Sequence, residues 1–262
     1  MRLNLPSFGT NKALIEYLVA NKSELIDLGK SEIKKFVDTP CHLVSDSGLV
    51  SKALSSTQDT DEVIYRTIVG NTYNWMDSHD DVHLNGVFGQ SIKDKQGRIY
   101  HRHDHVNQLT AKVGKFSRVY EQVVNWTDVG VNKAGQTMAL LGDSAIKKAY
   151  NQLIFDSYKD GEIDQHSVGM QYVKISLAVN DKENKEEFET WNKYIGLIGN
   201  QEKALDKGYF WAVKEAKLIE ISCVTDGSNE LTGMYNPPIG SVNIDPPASS
   251  QKSNSFLSHF LN

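Results

Sequence analysis

The segment Gly161-Glu-Ile-Asp-Gln-His-Ser167-Val-Gly-Met-Gln-Tyr172 marks a change from helix to strand, and the fold assignment depends on it. Residues 168–179 after it have strand character. The residues before it predict the clearest helix of the chain, with a cap at Asp143 or Ser144 and an end near Tyr158. Its periodic apolar positions are Ile146, Ala149, Tyr150, Leu153 and Ile154.

Short strands with helices between them continue over most of the chain. Helical spacing predicts one or two helices within residues 11–37 and a more exposed, charged helix over 182–207. Strands are predicted at residues 63–69, 108–113, 116–124, 138–141, 209–213 and 218–225. This pattern predicts an α+β fold with a largely antiparallel β-barrel or sheet core and flanking helices.

Composition divides the chain into three parts. We expect an N-terminal helical extension and linker over residues 1–60, and a core domain over 61–235 that carries the helical insert at about 182–207. The remaining residues, 236–262, contain four of the six prolines and many serines. Such a composition predicts an extended or flexible tail.

Charge and apolar content exclude several kinds of partner. The net charge is −5, so a nucleic acid or an anionic membrane is not an expected partner. No apolar run approaches the roughly 18–20 residues that a membrane helix needs, and the first residues lack the apolar stretch of a signal peptide. Cys41 and Cys223 are far apart in sequence, which suits a reducing cytoplasm and predicts buried, inert thiols.

A histidine cluster is the first candidate for chemistry. His101, His103 and His105 alternate with Arg102 and Asp104, so on a strand all three imidazoles would project to one face. One of them could act as a general base near neutral pH. A metal site is the other interpretation, with a polar patch at residues 77–83 as a further source of ligands, although the usual HxHxDH spacing of zinc hydrolases is absent.

Ser167 is the candidate nucleophile. A nucleophilic serine needs a base to activate it and N–H groups to hold the developing oxyanion. Gly169 would permit close approach of the backbone, but the GxSxG pattern of α/β-hydrolases is absent. From local sequence alone, an ordinary serine at the edge of a strand is the more frequent case for such a pattern.

Glu220 is the candidate acid. Strand alternation places it on one face with Leu218, Ser222 and Val224. A buried carboxylate is costly unless it is paired, and an imidazolium partner would offset that cost. The carboxylate would in turn orient the imidazole, as the acid of a catalytic triad does. An exposed glutamate on the solvent face of an edge strand is the alternative.

Taken together, four sequence blocks within residues 62–230 resemble the tailed-phage prohead serine protease family, which is related in fold to the herpesvirus assemblins. The blocks follow in the family's order. They are residues 66–70 with 77–88, residues 100–104, residues 161–172, and residues 218–225 with 227–229.

The resemblance implies roles for individual residues. It implies His103 as base, Ser167 as nucleophile and Glu220 as third member of a triad, although assemblins use a second histidine in that last position. His101, Asp104 and Gly169 are possible supporting residues. Because His101 stands where the family has an aromatic residue, the choice among His101, His103 and His105 as base stays open.

The resemblance also implies a biological role: a serine endopeptidase that acts inside the phage procapsid in the host cytoplasm. Its expected substrates are the scaffold protein, the N-terminal segment of the capsid protein, and its own termini. No cofactor or metal is implied, and self-association as a dimer is expected by analogy. The alternatives are a catalytically silent structural protein of the phage head and a zinc-dependent hydrolase that uses His101, His103, His105 and residues 77–83.

Overall fold

A computed structural model describes residues 5–34, 59–95 and 97–235. The predicted tail over 236–262, most of the predicted linker, and Cys41 lie outside the described residues. The division of the chain into three parts therefore stays a prediction.

The described residues contain one mixed, mostly antiparallel sheet of seven strands. Its strands are β1 (Val63–Thr72), β2 (Asp81–His83), β3 (Tyr100–His103), β4 (Lys112–Asn125), β5 (Gln136–Lys147), β6 (His166–Val179) and β7 (Tyr209–Cys223). Their order is β1-β5-β4-β3-β7-β2, and β6 pairs with the other side of β7. The α+β prediction with a largely antiparallel sheet is confirmed, but the sheet is open and not closed into a barrel.

Six α-helices flank the sheet in the described part of the chain. They are α1 (Asn11–Ala20), α2 (Lys22–Ser31), α3 (Gly89–Asp94), α4 (Gln152–Asp160), α5 (Lys185–Tyr194) and α6 (Gln201–Lys207). The predicted insert over 182–207 is therefore two α-helices, with a 3₁₀ turn at Ile195–Leu197 between them. Its apolar face buries Trp191, whose ring packs against Phe210 of β7.

The predicted helix around Ile146 begins later than its periodicity suggested. Ile146 is fully buried in β5, where it pairs with Ile64 of β1. Helix α4 begins at Gln152 because the Asn151 side chain accepts a hydrogen bond from the Ile154 amide. It ends at Asp160 and is followed by the C-cap residue Gly161, whose φ of 79° suits a residue without Cβ. The helical spacing of apolar residues therefore combined the last residues of β5 with the first residues of α4.

Strand β7 joins two segments that the sequence separated. Lys214 and Glu215, which seemed to interrupt it, extend outward, and Glu215 pairs with Lys174 of β6. β7 pairs with β6 along one side, and with β3 and β2, both parallel to it, along the other. Its register with β6 slips one residue between Glu220 and Leu218, so the predicted alternation from Leu218 to Glu220 is broken there.

The main core lies between the sheet and the first two helices. It contains Leu18 and Leu25 from the helices together with Val168, Trp211 and Ile221 from β6 and β7. Burying each large apolar side chain contributes about 1.5–3 kcal/mol. This packing fixes β6 against β7, and the carboxyl-terminal end of β7 carries the candidate site.

Candidate active site

Two neighbouring strands bring the predicted nucleophile and acid to one face of the sheet. Ser167 of β6 lies opposite Ser222 of β7, and Gly169 lies opposite Glu220. Partners across an antiparallel pair share a face, and so do residues two apart in a strand. Ser167 and Glu220 are therefore on the same face, and both are buried.

The Glu220 carboxylate is fully buried and completely partnered. His105 Nδ1 lies 2.6 Å from Glu220 Oε1, and the Ser222 hydroxyl donates to Oε2. The His105 amide donates to Ser222 Oγ at 3.3 Å. An unpaired carboxylate would be strongly unfavourable in this buried position. These contacts offset the cost of burying Glu220. The alternative of an exposed glutamate is wrong.

A tight turn brings His105 to this carboxylate. Strand β3 ends at His103, and the Asp104 amide donates to the Cys223 carbonyl at 3.0 Å. Asp104 and His105 both have left-handed φ angles, 49° and 55°. The chain therefore leaves the strand geometry after His103, and His105 does not continue the alternation of His101 and His103.

His103 lies on the other face of the sheet. It is opposite Cys223 in the parallel β3–β7 pair, whereas Glu220 and Ser222 extend to the opposite side. Its Nδ1 contacts Asp104 Oδ2 at 3.0 Å, and the Asp104 side chain is largely exposed. Thus the structure does not bring His103, the base that the resemblance implies, to Glu220. The histidine at Glu220 is His105.

Gly169 makes room for the carboxylate. A Cβ at this position would overlap Glu220 Oε1 and lie 3.0 Å from Glu220 Cδ. The side chain of Glu220 therefore extends across the backbone of β6 at the one residue that leaves space for it. This is the close approach expected of Gly169, made by a carboxylate.

His101 belongs to a separate, neutral network on the face opposite Glu220. Burial, with a smaller contribution from His166, lowers the pKa of His101 well below its usual value, and burial lowers the pKa of His166 to about 4. His166 Nδ1 donates to the Thr232 carbonyl, so its Nε2 accepts from the Tyr158 hydroxyl at 2.8 Å. The Tyr158 oxygen then accepts from His101 Nε2, and His101 Nδ1 accepts from the Ser144 hydroxyl. Every nitrogen of the two rings is used, so His101 is structural.

A small cleft opens along the side of β6 that faces away from β7. Ser167 lines it together with other residues of β6, and its opposite wall is polar. That wall includes Asn71, Asp77, His79, Asp81, His83, Ser228 and Asn229. The density of polar residues at 77–83 is the sequence signal for this wall, although no sequence pattern predicts that these residues face Ser167.

Burial keeps two groups of the polar wall neutral near pH 7. Burial, with the nearby Asp81 carboxylate, raises the pKa of Asp77 to about 8. Burial lowers the pKa of His83 to about 4, and the Asn71 amide donates to His83 Nδ1 at 2.9 Å. The proton of the neutral ring is then on Nε2, which is buried and has no hydrogen-bond partner within the described residues. Tyr172 donates to Asp81 in the same wall.

The zinc alternative lacks a ligand set. Within residues 5–34, 59–95 and 97–235, no three His, Cys, Asp or Glu side chains are grouped so that they could hold a metal ion. The three histidines of the cluster have different partners: Ser144 and Tyr158, Asp104, and Glu220. Cys223 is a free, buried cysteine, and burial raises the pKa of its thiol to about 12, which makes it unreactive.

Comparison of the chain with protein-family models, curated proteins and solved structures found no match. None of the helices in the described part of the chain combines the length and apolar character needed to cross a membrane.

Proposed function

We propose that this chain is a serine endopeptidase of phage head maturation, with Ser167 as nucleophile, His105 as base and Glu220 as the acid that orients it. The observation that carries the proposal is the buried Glu220–His105 pair on the face that Ser167 occupies. A histidine held through Nδ1 by a buried carboxylate is the base-and-acid half of a serine protease triad.

The chemistry follows from this arrangement. His105 Nε2 accepts the Ser167 proton as the serine oxygen attacks the scissile carbonyl carbon, and the imidazolium then protonates the leaving amine as the C–N bond breaks. Water, deprotonated by the same imidazole, attacks the acyl ester and releases Ser167. Glu220 holds the Nδ1 proton and stabilises the imidazolium in both steps.

The four sequence blocks support the finer parts of the proposal. They support an assemblin-like arrangement of the core and cleavage of scaffold protein, of the capsid protein's N-terminal segment and of the chain's own termini. In this proposal the enzyme acts inside the procapsid, without a cofactor, and forms a dimer. The family's base position is His103, so the assignment of His105 is specific to this structure.

A fluorophosphonate probe tests the nucleophile without knowledge of the natural substrate, because it reacts covalently with activated serines. We expect the wild-type chain to gain one adduct by intact mass spectrometry, located on Ser167 by peptide mapping. The Ser167→Ala variant should gain none. Ser176→Ala is the matched control, since Ser176 is also in β6 but its hydroxyl contacts Lys214; it should react like wild type.

Two results would overturn the assignment. Labelling that survives Ser167→Ala would assign the reactive group elsewhere, and a folded wild-type chain that is never labelled would favour the catalytically silent structural protein. Co-expression with the scaffold and capsid proteins of the same phage then tests the substrates. Shortened products should form with wild type and not with Ser167→Ala.

A further inference from the structure

The outer edge of β6, on the side away from β7, already pairs with one residue from outside the named strands. The Lys34 amide donates to the Met170 carbonyl at 2.7 Å, and the Met170 amide donates to the Lys34 carbonyl at 3.0 Å. This reciprocal pair is an antiparallel β-bridge. Lys34, just beyond helix α2, therefore pairs with β6 only three positions from Ser167.

The edge continues past this bridge toward Ser167. Peptide groups alternate in direction along a strand, so Val168 and His166 face the same side as Met170. The His166 amide confirms this direction, because it donates to Thr232 Oγ1 at 3.2 Å on that side. Between these two contacts, no backbone group of the described residues bonds Val168 on the outer edge, which opens into the cleft.

The orientation of the bridge sets the direction of any longer strand. Because Lys34 is antiparallel to Met170, a strand extended in the chain direction would next pair with Val168. The single residue between these two pairs would lie opposite Gly169, and the residue after the second pair would lie opposite Ser167. An extended peptide bound in this direction therefore brings its carbonyl groups past the nucleophile.

The far wall of the cleft offers a hydrogen-bond donor to such a peptide. His83 Nε2 is buried, protonated in the neutral ring, and has no partner within the described residues. An unsatisfied buried donor is unfavourable, and an acceptor group on a bound peptide would remove that cost. This observation is independent of the Lys34 bridge and belongs to the same cleft.

We propose that the outer edge of β6, from Met170 to Val168, binds an extended polypeptide as an added antiparallel strand, and that Lys34 holds one position of this edge in the resting chain. Main-chain pairing of this kind gives affinity for peptides of varied sequence. The identification of that peptide as a substrate rests on the proposed function, whereas the binding itself does not.

Proline substitution weakens the bridge at this edge, because it removes one of the two hydrogen bonds, and it leaves helix α2 intact. Lys34→Pro removes the amide that bonds Met170. Ile33→Pro is the matched control, because its amide makes no backbone bond to β6 among the described residues and Glu32 before it is already extended, with ψ of 146°. The probe is a fluorescein-labelled peptide with the sequence of residues 30–38, and its binding is followed by anisotropy.

We expect the Lys34→Pro chain to bind this peptide at least fivefold more tightly than wild type or Ile33→Pro. A peptide with proline in place of its own Lys34 should bind weakly to all three. Equal affinities, or loss of binding in Lys34→Pro alone, would overturn the proposal.

A second readout separates this proposal from the catalytic one. Lys34→Pro should hydrolyse fluorescent casein at least threefold faster than Ile33→Pro, while labelling by the small fluorophosphonate changes less than twofold. If no chain is labelled or cleaves casein, the proposed function fails, and the anisotropy result still decides whether the edge binds peptides.

Discussion

The two faces of the sheet at the junction of β3, β6 and β7 carry the same residue type in contrasting surroundings. On one face, His105 contacts the buried Glu220 carboxylate. On the other, His101 and His166 are joined through the Tyr158 hydroxyl in a network that contains no carboxylate. His101 and His105 are only four residues apart in sequence, so their different surroundings come from the partners that the fold brings to each.

The comparison teaches that burial alone does not decide whether a histidine can take up a proton. With hydroxyl and carbonyl partners, a buried imidazole stays neutral, and each nitrogen is fixed as donor or acceptor. With a carboxylate partner, the imidazolium that forms during proton transfer is stabilised. Four variants, taken from the largest expected effect to the smallest, test this difference between the two faces of the sheet.

Replacement of the histidine at Glu220 should have the largest effect. We expect His105→Gln to slow fluorophosphonate labelling of Ser167 by about 10³-fold or more, because the proposed base is lost. His103→Gln is the matched control and should stay within about threefold of wild type. If His103→Gln abolishes labelling and His105→Gln does not, the base is His103 and the assignment is wrong.

Gly169→Ala tests the space occupied by the carboxylate. The added methyl overlaps Glu220 Oε1, so we expect a loss of about 2–3 kcal/mol in free energy of unfolding by urea denaturation, together with slower labelling. Gly196→Ala, where nothing lies within 4 Å of the new Cβ, should change neither. Shortening the acid should relieve the overlap, so the stability losses of Gly169→Ala and Glu220→Asp should be less than additive in the double variant.

Tyr158→Phe tests the neutral face. Loss of the hydroxyl leaves His101 Nε2 and His166 Nε2 without their shared partner, at a cost of about 1–2 kcal/mol in unfolding free energy. The labelling rate of Ser167 should not change. Tyr194→Phe in helix α5 controls for loss of a phenol outside this network. A large fall in labelling would mean that the two faces are coupled.

Asp77→Asn should have the smallest effect and tests the polar wall of the cleft. The pKa of Asp77 is about 8 in the fold, against an ordinary value of 3.8. The folded chain thus keeps a proton that the unfolded chain releases, and stability falls as pH rises from about 4 to 8. The side-chain oxygen of the Asp77→Asn variant can still accept hydrogen bonds from the backbone amides of His79 and Asp81. We expect a gain of about 1 kcal/mol or more at pH 8 and a flatter profile, measured by urea unfolding.

The exposed Asp27→Asn in helix α2 is the control and should leave the pH profile unchanged. On the acid side, His83 and His166 act in the opposite sense. Their pKa values of about 4 are below the ordinary 6.5, so their contribution is present above pH 6.5 and is lost as pH falls toward 4. A stability of Asp77→Asn that still falls steeply from pH 5 to 8 would contradict the neutral state of Asp77.

The sequence predicted the sheet-rich α+β core, a strand beginning next to Ser167 and the strand that carries Glu220, because alternation and turn residues act locally; β6 begins two residues earlier than predicted and includes Ser167. It misplaced the start of α4, since apolar spacing extended from Ile146 of β5 into the helix. It also separated β7 at two charged residues that extend outward from one continuous strand. In each case tertiary pairing decided the outcome.

The candidate site was predictable in part. Local alternation placed all three histidines on one face, and two left-handed residues at the end of β3 change that result. No sequence pattern identifies which imidazole meets Glu220, because the contact depends on parallel pairing of distant strands. The cleft beside β6 was equally hidden, since Lys34, residues 77–83 and residues 228–232 converge only in the folded chain.

The parallel pairing of β3 with β7 also determines when during folding the site is assembled. His105 and Glu220 are separated by 115 residues, so their contact requires closure of a long segment that includes the whole β4–β5 hairpin, β6 and the helical insert. Contacts of such sequence separation form slowly compared with local ones. A chain still emerging from the ribosome has Ser167 before it has Glu220, so under the proposed function it gains the ability to cleave its neighbours only after its own synthesis has passed the end of β7.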